Sequence, residues 1–338
     1  MQRFRAKMTA WLTAAAVVLW LPAGAAAANL TEVVPIGRTA GIQIDTDGLL
    51  IESVDTVMTA VGEVAPAKQA GFRLGDILIT AGGDEMDSSQ ALQKKVALSG
   101  GQPMQFGVQR DGKTLTLTGA AVQDKNGVYR LGVTVRDSVA GIGTITYVDP
   151  VTGAYGSLGH GICDAETGVL VPLEEGSLME SSVSGVVKGV AGTPGSLQGD
   201  FNLQSSMGSV EENTLTGIFG VLTDNRYCVG KKTVPVAQAG EVKTGKATIL
   251  SNVEGETVRE YACEITKIYG PGGEYDRCMT IRVTDPALIE RTGGIVQGMS
   301  GSPILQDGKL VGAVTHVLIN DPTRGYAMQI GKMLDAAG

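Results

Sequence analysis

Residues that commonly bind metal ions are scarce in this sequence. Among its 338 residues there are two histidines, His160 and His316, and four cysteines, at positions 163, 228, 263 and 278. No two cysteines are spaced as C-x-x-C, and a zinc site needs several such ligands close together. We therefore expect no metal site and no other cofactor. Cys263 and Cys278 flank the turn GPGG at 270–273, which would place them across a hairpin from one another.

Clustered positive charge is also lacking. The 27 lysines and arginines are outnumbered by 35 aspartates and glutamates, the net charge is −8, and no basic run follows residue 7. Proteins that bind nucleic acid neutralise phosphates with clustered basic side chains, so nucleic acid is not an expected partner. An apolar content of 43% with 18% charged residues is typical of a globular protein.

Glycine, by contrast, is abundant, with 48 of the 338 residues and no G-X-Y period. Beyond about residue 128, short apolar runs alternate with glycine and Asp-Pro steps, which is typical of short strands joined by tight turns. This pattern predicts a β-sandwich or barrel for residues 128–338. Residues 175–217 are rich in serine, glycine and threonine with weak periodicity, which predicts long loops there.

The first 28 residues differ from the rest of the chain. Arg3, Arg5 and Lys7 precede an uncharged, alanine-rich stretch at 8–28 that contains several A-x-A steps. This arrangement predicts an export signal, and an uncleaved membrane anchor is the alternative. Either way, the bulk of the protein is expected outside the cytoplasm.

Residues 40–121 are predicted to form one α+β unit. The sequence indicates a strand at 47–54, a helical turn near 65–70, a strand within 75–83 and a helix at 88–98. A hairpin around Asp111-Gly112 completes the unit. This order, together with the block APAKQAGFRLGD, resembles a PDZ domain of the kind found in bacterial proteases.

The PDZ resemblance implies a peptide-binding edge. In such domains a peptide adds to an open strand edge as an extra strand. The loop here would be TDGLL at 46–50, with Asp47, Gly48, Leu49 and Leu50 as peptide-binding residues. The alternative is a unit that packs on its neighbour and binds nothing.

The segment GMSGSP at 298–303 is the candidate nucleophile turn. A serine attacks a carbonyl only when a base removes its proton, and His160, in the glycine turn GSLGHGICD, is the expected base. His316 ends the apolar stretch LVGAVTH and is predicted to be a core or pocket-wall residue. The glycines around Ser300 would let the N–H groups of Gly298 and Ser300 meet at an oxyanion. The alternative is a glycine-rich turn with incidental serines.

This turn resembles that of chymotrypsin-like proteases, with Met299 in place of the acid of their G-D-S-G-G-P motif. The resemblance implies a double β-barrel peptidase domain over 128–338, with histidine, acid and serine in that order. Asp285 is the candidate orienting acid. Because Asp285 precedes Pro286, it also fits a helix N-cap. If no acid serves, a dyad oriented by a backbone carbonyl remains open.

Long segments resemble the stage IV sporulation protein B family of serine peptidases from endospore-forming bacteria. They include NLTEVVPIGRTAGIQI after the predicted signal, RDSVAGIGTITYVDPVTGAYGSLGHGICDAETG at 136–168 and TGGIVQGMSGSPILQDGKLVGAVTHVLINDPTRGYAM at 292–328. The resemblance covers nearly all of the chain after the first 28 residues. It implies His160 as base, Asp285 as orienting acid and Ser300 as nucleophile.

The family also implies a biological setting. Its members are exported into the space between the forespore and mother-cell membranes, cleave themselves near the N-terminus and cut a membrane-bound sporulation regulator. That cut leads to activation of a late mother-cell sigma factor. The PDZ domain would hold substrate or the enzyme's own N-terminal region. The alternatives are a PDZ scaffold with an inactive protease-like half and a quality-control protease of the HtrA type. The HtrA type is disfavoured because its PDZ domains follow the catalytic domain.

Overall fold

A computed structural model describes residues 30–164, 168–270 and 278–337. The predicted signal or anchor at residues 1–28 lies outside these ranges, as does most of the turn at 270–273. Within the described part of the chain, no helix is both long enough and apolar enough to span a membrane.

The first part of the chain combines short strands with two helices, in the order predicted for residues 40–121. Its elements are β1 (Glu32–Pro35), β2 (Thr39–Val54), β3 (Val57–Thr59), β4 (Gly62–Val64), α1 (Pro66–Ala70), β5 (Ile77–Ala81), β6 (Asp84–Glu85), α2 (Ser89–Leu98), β7 (Met104–Arg110), β8 (Lys113–Gly119), β9 (Val122–Gln123) and β10 (Tyr129–Arg130).

Local sequence accounts for the boundaries of these elements. The Ser88 side chain caps α2 by accepting a hydrogen bond from the Ala91 N–H at 3.3 Å. Asp111 and Gly112 both have positive φ, 50° and 70°, which a two-residue hairpin of type I′ requires. Asp76 is only 1% exposed. Its carboxylate accepts two hydrogen bonds from Arg110, at 2.6 and 2.7 Å, which offset the cost of burying the charge.

The middle part of the chain is almost entirely β. Its elements are β11 (Val133–Val148), β12 (Ala154–Ser157), β13 (Leu173–Val187), β14 (Ser196–Ser209), β15 (Glu212–Thr214), β16 (Gly217–Val221), a 3₁₀ turn (Asn225–Tyr227) and β17 (Val234–Pro235).

The prediction of long loops at 175–217 is wrong. β13 and β14 pair as an antiparallel hairpin, and the first half of β13 also pairs with β2. Register shifts interrupt this pairing, and each shift breaks the alternation by which a strand is identified in sequence. Glycine within the strands obscures the pattern further. A Cβ on Gly208 would lie 2.3 Å from the Val221 carbonyl oxygen, so no side chain fits there. Close backbone packing therefore accounts for the glycine at position 208.

The last part of the chain closes into a barrel. Its elements are β18 (Gly245–Ser251), β19 (Arg259–Ile268), β20 (Met279–Val283), α3 (Pro286–Thr292), β21 (Pro303–Gln306), β22 (Lys309–Leu318), β23 (Asp321–Gln329) and α4 (Ile330–Ala336). Strands β18 to β23 form the barrel.

The barrel corrects the expected position of two cysteines. In the β19–β20 hairpin Cys263 lies opposite Val283, and the backbone of Cys278 meets that of Tyr269. Cys263 and Cys278 therefore do not face each other, because the hairpin register is set by the strand pairing and not by the distance from the turn. Burial raises the pKa of the Cys263 thiol to about 12, so this thiol stays protonated at neutral pH.

Two long strands, β2 and β11, connect the PDZ-like unit to the rest of the molecule. They pair with each other from Thr39 and Thr144 at one end to Val54 and Val133 at the other. β5, β7 and β8 of the PDZ-like unit therefore belong to the same sheet as β12 and β16. The predicted fold class, mainly β with a PDZ domain ahead of a barrel-containing domain, is confirmed. Of the double barrel expected over 128–338, the described strands close one barrel, β18 to β23, and the strands of that domain before it join the shared sheet.

Candidate active site

The nucleophile turn lies between α3 and β21 and is held by β11. Thr144 donates two hydrogen bonds to the turn, from its N–H to the Ser300 carbonyl and from its hydroxyl to the Gly298 carbonyl, both at 2.8 Å. The N–H of Gly301 donates to the Val314 carbonyl at 2.7 Å. The turn is therefore fixed from both sides, by β11 and by β22.

Gly301 is required by this packing. Its φ is +93°, and a Cβ there would lie 1.9 Å from the Thr144 carbonyl oxygen. No side chain fits at that distance, so any larger residue would push the turn away from β11. The glycine that follows Ser300 thus fixes where the serine backbone sits.

The backbone amides of the turn are used unevenly. Those of Met299, Gly301 and Ser302 donate to backbone carbonyls. Those of Gly298 and Ser300 donate no hydrogen bond within the described residues. Two open amides on alternate residues, with the serine at the second, are what stabilisation of an oxyanion requires. The arrangement fits the predicted role of Gly298 and Ser300.

The two serines of the turn differ in environment. Ser300 is half-buried at the cleft surface, and its hydroxyl donates to the Thr315 carbonyl at 2.6 Å. Ser302 is 0% exposed, and its hydroxyl has no hydrogen-bond partner within the described part of the chain. Only Ser300 can meet a substrate. Its hydroxyl must first rotate away from Thr315.

His160 follows β12 in a backbone turn of unusual conformation. Leu158, a residue with a side chain, has φ of +66°, and Gly159 has φ of +72°. The Leu158 N–H donates to the Thr144 carbonyl at 3.3 Å, so Thr144 contacts the histidine turn as well as the serine turn. A residue held in this region of φ costs on the order of 1 kcal/mol and is typical of functional sites.

The His160 ring is oriented by the backbone. Its Nδ1 lies 2.8 Å from the Gly161 carbonyl oxygen. A carbonyl oxygen only accepts, so this hydrogen bond places the proton on Nδ1 and leaves Nε2 as the basic nitrogen. This contact fits the carbonyl-oriented dyad that the sequence left open, and the dyad itself stays a prediction.

His316 lies beside His160 in the same cleft. The two ring centroids are 4.8 Å apart, and the rings are tilted by 41°. The His316 side chain is exposed, so of the two predicted positions, core or pocket wall, the pocket wall is the one observed.

The cleft itself has a volume of about 430 Å³ and lies between the shared sheet and the barrel. Ser300, His160 and His316 all line it. No aspartate, glutamate, lysine or arginine is among its described lining residues. Most of the remaining wall is aliphatic, and it comprises Ile42, Val139, Ile142, Leu158, Ile162, Ile295, Val296, Val317 and Ile319.

Asp285 acts as a helix cap in this structure. One carboxylate oxygen accepts from the N–H groups of Ala287 and Leu288, at 3.0 and 3.2 Å, and the other accepts from the N–H of Ala262 at 3.2 Å. Asp285 is not among the described residues that line the cleft. The geometry therefore supports the cap interpretation, and the role of Asp285 as orienting acid stays a prediction.

The predicted peptide-binding residues at 47–50 do not form an open loop. They are part of β2, and Leu49 and Leu50 are buried. Leu50 pairs with Ile77 of β5 on one edge and with Arg136 of β11 on the other. The expected free strand edge is therefore already filled by the chain's own β11. The sequence does not reveal this, because strand pairing between distant segments leaves no local signal.

Sequence reasoning also missed Thr144. It lies in GIGTITY, a β-branched residue in an ordinary strand pattern. It is 0% exposed, and it binds the serine turn and the histidine turn at once. No local signal in the sequence marks Thr144, because its contacts with Gly298, Ser300 and Leu158 form only once the chain has folded.

Comparison with known families gives two matches. Residues 127–334 match the family described as SpoIVB peptidase S55. Residues 40–119 match the PDZ domain family. Together these ranges extend from β2 into α4 and leave out β9 (Val122–Gln123) between them.

Individual relatives match only in part. The chain is 44% identical over 63 residues to metalloprotease MmpA of Caulobacter vibrioides, which is 18% of this chain and 16% of that protein. It is 32% identical over 100 residues to the protein BH06270 of Bartonella henselae, which is 29% of this chain and 26% of that protein. The chain thus spans about a quarter or less of the length of these curated relatives.

Solved structures give similar partial matches. The active form of the Rv3671c protease from M. tuberculosis is matched at 17% identity and a TM-score of 0.33, over 60% of this chain and 75% of that chain. The PDZ domain of the SdrC-like protein Lmo2051 from Listeria monocytogenes is matched at 18% identity and a TM-score of 0.22, over 27% of this chain and 90% of that chain.

The two roles of Asp285 are separated by two substitutions. Asp285→Asn keeps an oxygen that can cap α3, so we expect near-normal stability and a rate of labelling by a serine-directed fluorophosphonate within about threefold of wild type. Asp285→Ala removes the cap and should cost about 1 kcal/mol of unfolding free energy. Both are measured by urea denaturation and by the labelling rate. A fall of about 10⁴-fold for Asp285→Asn with unchanged stability would instead identify Asp285 as the orienting acid.

Proposed function

The chain belongs to the SpoIVB peptidase S55 family, and from this premise we propose that it is a serine endopeptidase with Ser300 as nucleophile and His160 as base. The family resemblance drawn from the sequence is confirmed by the match over residues 127–334. The observation that carries the assignment is that Ser300 and His160 line one cleft beside two unused backbone amides, those of Gly298 and Ser300.

The proposed reaction begins with rotation of the Ser300 hydroxyl away from the Thr315 carbonyl. Nε2 of His160 then accepts the hydroxyl proton while the serine oxygen attacks the carbonyl carbon of the peptide. The resulting oxyanion accepts hydrogen bonds from the N–H groups of Gly298 and Ser300. The Gly161 carbonyl, 2.8 Å from Nδ1, stabilises the imidazolium.

Collapse of the tetrahedral intermediate completes the cleavage. The C–N bond breaks, the leaving amine takes the proton from the His160 Nε2, and the substrate's acyl group remains on the Ser300 oxygen. Water then attacks this ester with His160 again as base, which releases the carboxylic acid and restores Ser300.

The finer biological role is proposed from the family. We infer that the protein is exported, acts in the space between the forespore and mother-cell membranes and cleaves itself near its N-terminus. Its other substrate would be a membrane-bound sporulation regulator, whose cleavage leads to activation of a late mother-cell sigma factor. The PDZ domain would help hold this substrate or the N-terminal region of the enzyme. A PDZ scaffold with an inactive protease-like half is the alternative.

Serine-directed labelling tests the nucleophile. Ser300→Ala is expected to abolish both fluorophosphonate labelling and self-cleavage, since no other hydroxyl of the turn reaches the cleft. Ser302→Ala is the matched control and should retain both. Because it removes a buried hydroxyl that lacks a partner, it should leave stability unchanged or raise it by about 1 kcal/mol. Mass spectrometry of the labelled peptide and sequencing of fragment N-termini provide the readout. Equal loss in both variants would contradict the assignment.

The two histidines provide a second test. His160→Ala should reduce the labelling rate by at least about 10³-fold, because without a base Ser300 remains a neutral alcohol at pH 7. His316→Ala keeps the base and should retain labelling, with changes confined to substrate preference. A large loss in both variants at unchanged melting temperature would leave His160 without its assigned role.

The cleft also indicates the class of substrate side chain. Its described wall has no charged residue and is mainly aliphatic. A charged substrate side chain would lose its hydration there without gaining a partner, whereas an aliphatic one gains by burial. We propose that the side chain next to the cleaved bond is aliphatic.

A peptide library tests this preference. Substrates with leucine, isoleucine or valine beside the cleaved bond should exceed those with lysine or glutamate by at least about tenfold in kcat/KM. Val317→Glu, in the cleft wall, should shift the preference toward lysine and arginine. Val229→Glu, which is 67% exposed and lies outside the cleft, is the control and should change nothing. A wild-type preference for charged side chains would contradict the proposal.

A further inference from the structure

The strand edge of the PDZ domain is occupied by the chain itself. Residues 133–136 of β11 pair antiparallel with Leu50–Val54 of β2. A peptide bound to a PDZ domain adds as a strand at such an edge. The chain's own segment 133–136, called the internal strand below, therefore occupies a place that a bound peptide could take.

Neighbouring contacts place the internal strand beside helix α2 as well. The carboxylate of Asp137, directly after it, accepts from the N–H of Ser89 at the start of α2, at 3.1 Å. The Asp137 carbonyl accepts from the Thr46 hydroxyl at 3.2 Å. The internal strand thus lies alongside both β2 and α2.

The internal strand is held weakly compared with the rest of β11. Residues 133–142 are half-buried or exposed, whereas residues 143–148 are buried. Register shifts interrupt the pairing between Thr134 and Val135 and between Arg136 and Ser138. Each shift disrupts the local ladder, so the first half of β11 can leave the sheet at lower cost than the second.

An ion pair contributes to the contact between the internal strand and β2. Arg136 contacts Glu52 on β2, and the two side chains are 47% and 29% exposed. An ion pair at this exposure is worth little in stability, but it favours a basic residue at this position of the strand. A peptide that replaces the internal strand should therefore be extended, rich in β-branched residues and basic at the position of Arg136, within reach of Glu52.

The same strand continues into the cleft. Val139, Ala140, Gly141 and Ile142 of β11 line the wall beside Ser300 and His160. Only two residues, Asp137 and Ser138, separate this wall from the internal strand. At about 3.3 Å per residue, a change at Arg136 lies within roughly 10 Å of the wall along the strand.

From these contacts we propose that residues 133–136 are a displaceable internal ligand of the PDZ strand edge, whose place is taken by an extended basic segment of a substrate protein. Removal of the internal strand from β2 alters the cleft wall at residues 139–142. The binding step stands on the strand pairing alone, and the effect on the cleft rests on the proposed peptidase function.

An engineered disulfide tests the binding step. Thr134 and Ser53 are directly opposite each other and at least partly exposed. The double variant Thr134→Cys with Ser53→Cys, called the lock below, would therefore join the internal strand to β2 by a disulfide when oxidised. The background carries Cys163→Ser, because Cys163 is exposed. The probe is a fluorescent peptide of residues 131–137, LGVTVRD. We expect it to bind the reduced protein and to lose at least about tenfold in affinity on oxidation, because the internal strand can no longer leave.

Two controls accompany the lock. Gln105→Cys with Thr118→Cys joins β7 to β8 at a paired, exposed position away from the internal strand, and its oxidation should leave peptide affinity unchanged. The peptide LGVTVED, which reverses the charge that contacts Glu52, should bind more weakly than LGVTVRD. Equal affinity of the reduced and oxidised locks, or no binding by the reduced protein, would overturn the proposal.

A third variant moves affinity in the other direction. Thr134→Pro weakens the pairing of the internal strand, since proline removes an N–H from the ladder. It should bind LGVTVRD more tightly than wild type by about fivefold or more, because less competition remains. An affinity equal to or below that of wild type, in a protein with unchanged far-UV circular dichroism, would contradict displacement.

The effect on the cleft is read from the fluorophosphonate labelling rate of Ser300 with and without LGVTVRD. We expect a change in the reduced lock and none in the oxidised lock. Peptide binding with an unchanged labelling rate would overturn the coupling alone. Labelling absent under every condition would count against the proposed peptidase function and leave the binding result intact.

Discussion

The site depends on one buried threonine. Thr144 donates to the carbonyls of Gly298 and Ser300 and accepts from the N–H of Leu158, two residues before His160. A serine and a histidine 140 residues apart in sequence are thereby held against the same backbone position. Because each bond involves buried backbone groups that would be costly to leave unpaired, the relative placement of the two turns is set by β11.

The histidine ring is also positioned by a backbone group. The Gly161 carbonyl contacts Nδ1 of His160, which leaves Nε2 as the basic nitrogen. Asp285 is used elsewhere, with both of its oxygens engaged by amides at the start of α3. The helix it caps ends at Thr292, and residues 293–297 connect it to the serine turn.

The PDZ domain and the peptidase domain share strands, and this has a physical consequence. β2 and β11 contribute to both, so the PDZ edge and the cleft wall lie on the same strands, with no linker between them. The second half of β11 is buried beside the site, and the less buried first half contains residues 133–136, the segment proposed to be displaced.

The sequence by itself determined the local structure and the chemistry available. Ser88 predicted the start of α2, Asp111-Gly112 predicted a hairpin, and the rarity of histidine restricted the base to His160 or His316. The motif segments identified the family. Only the tertiary structure decided which hydroxyl of the serine turn faces the cleft, that Asp285 serves as a cap, that 175–217 pairs as strands and that β11 fills the PDZ edge. The reason is that a capping or turn preference acts within a few residues, whereas strand pairing and burial depend on segments that meet only once the chain has folded.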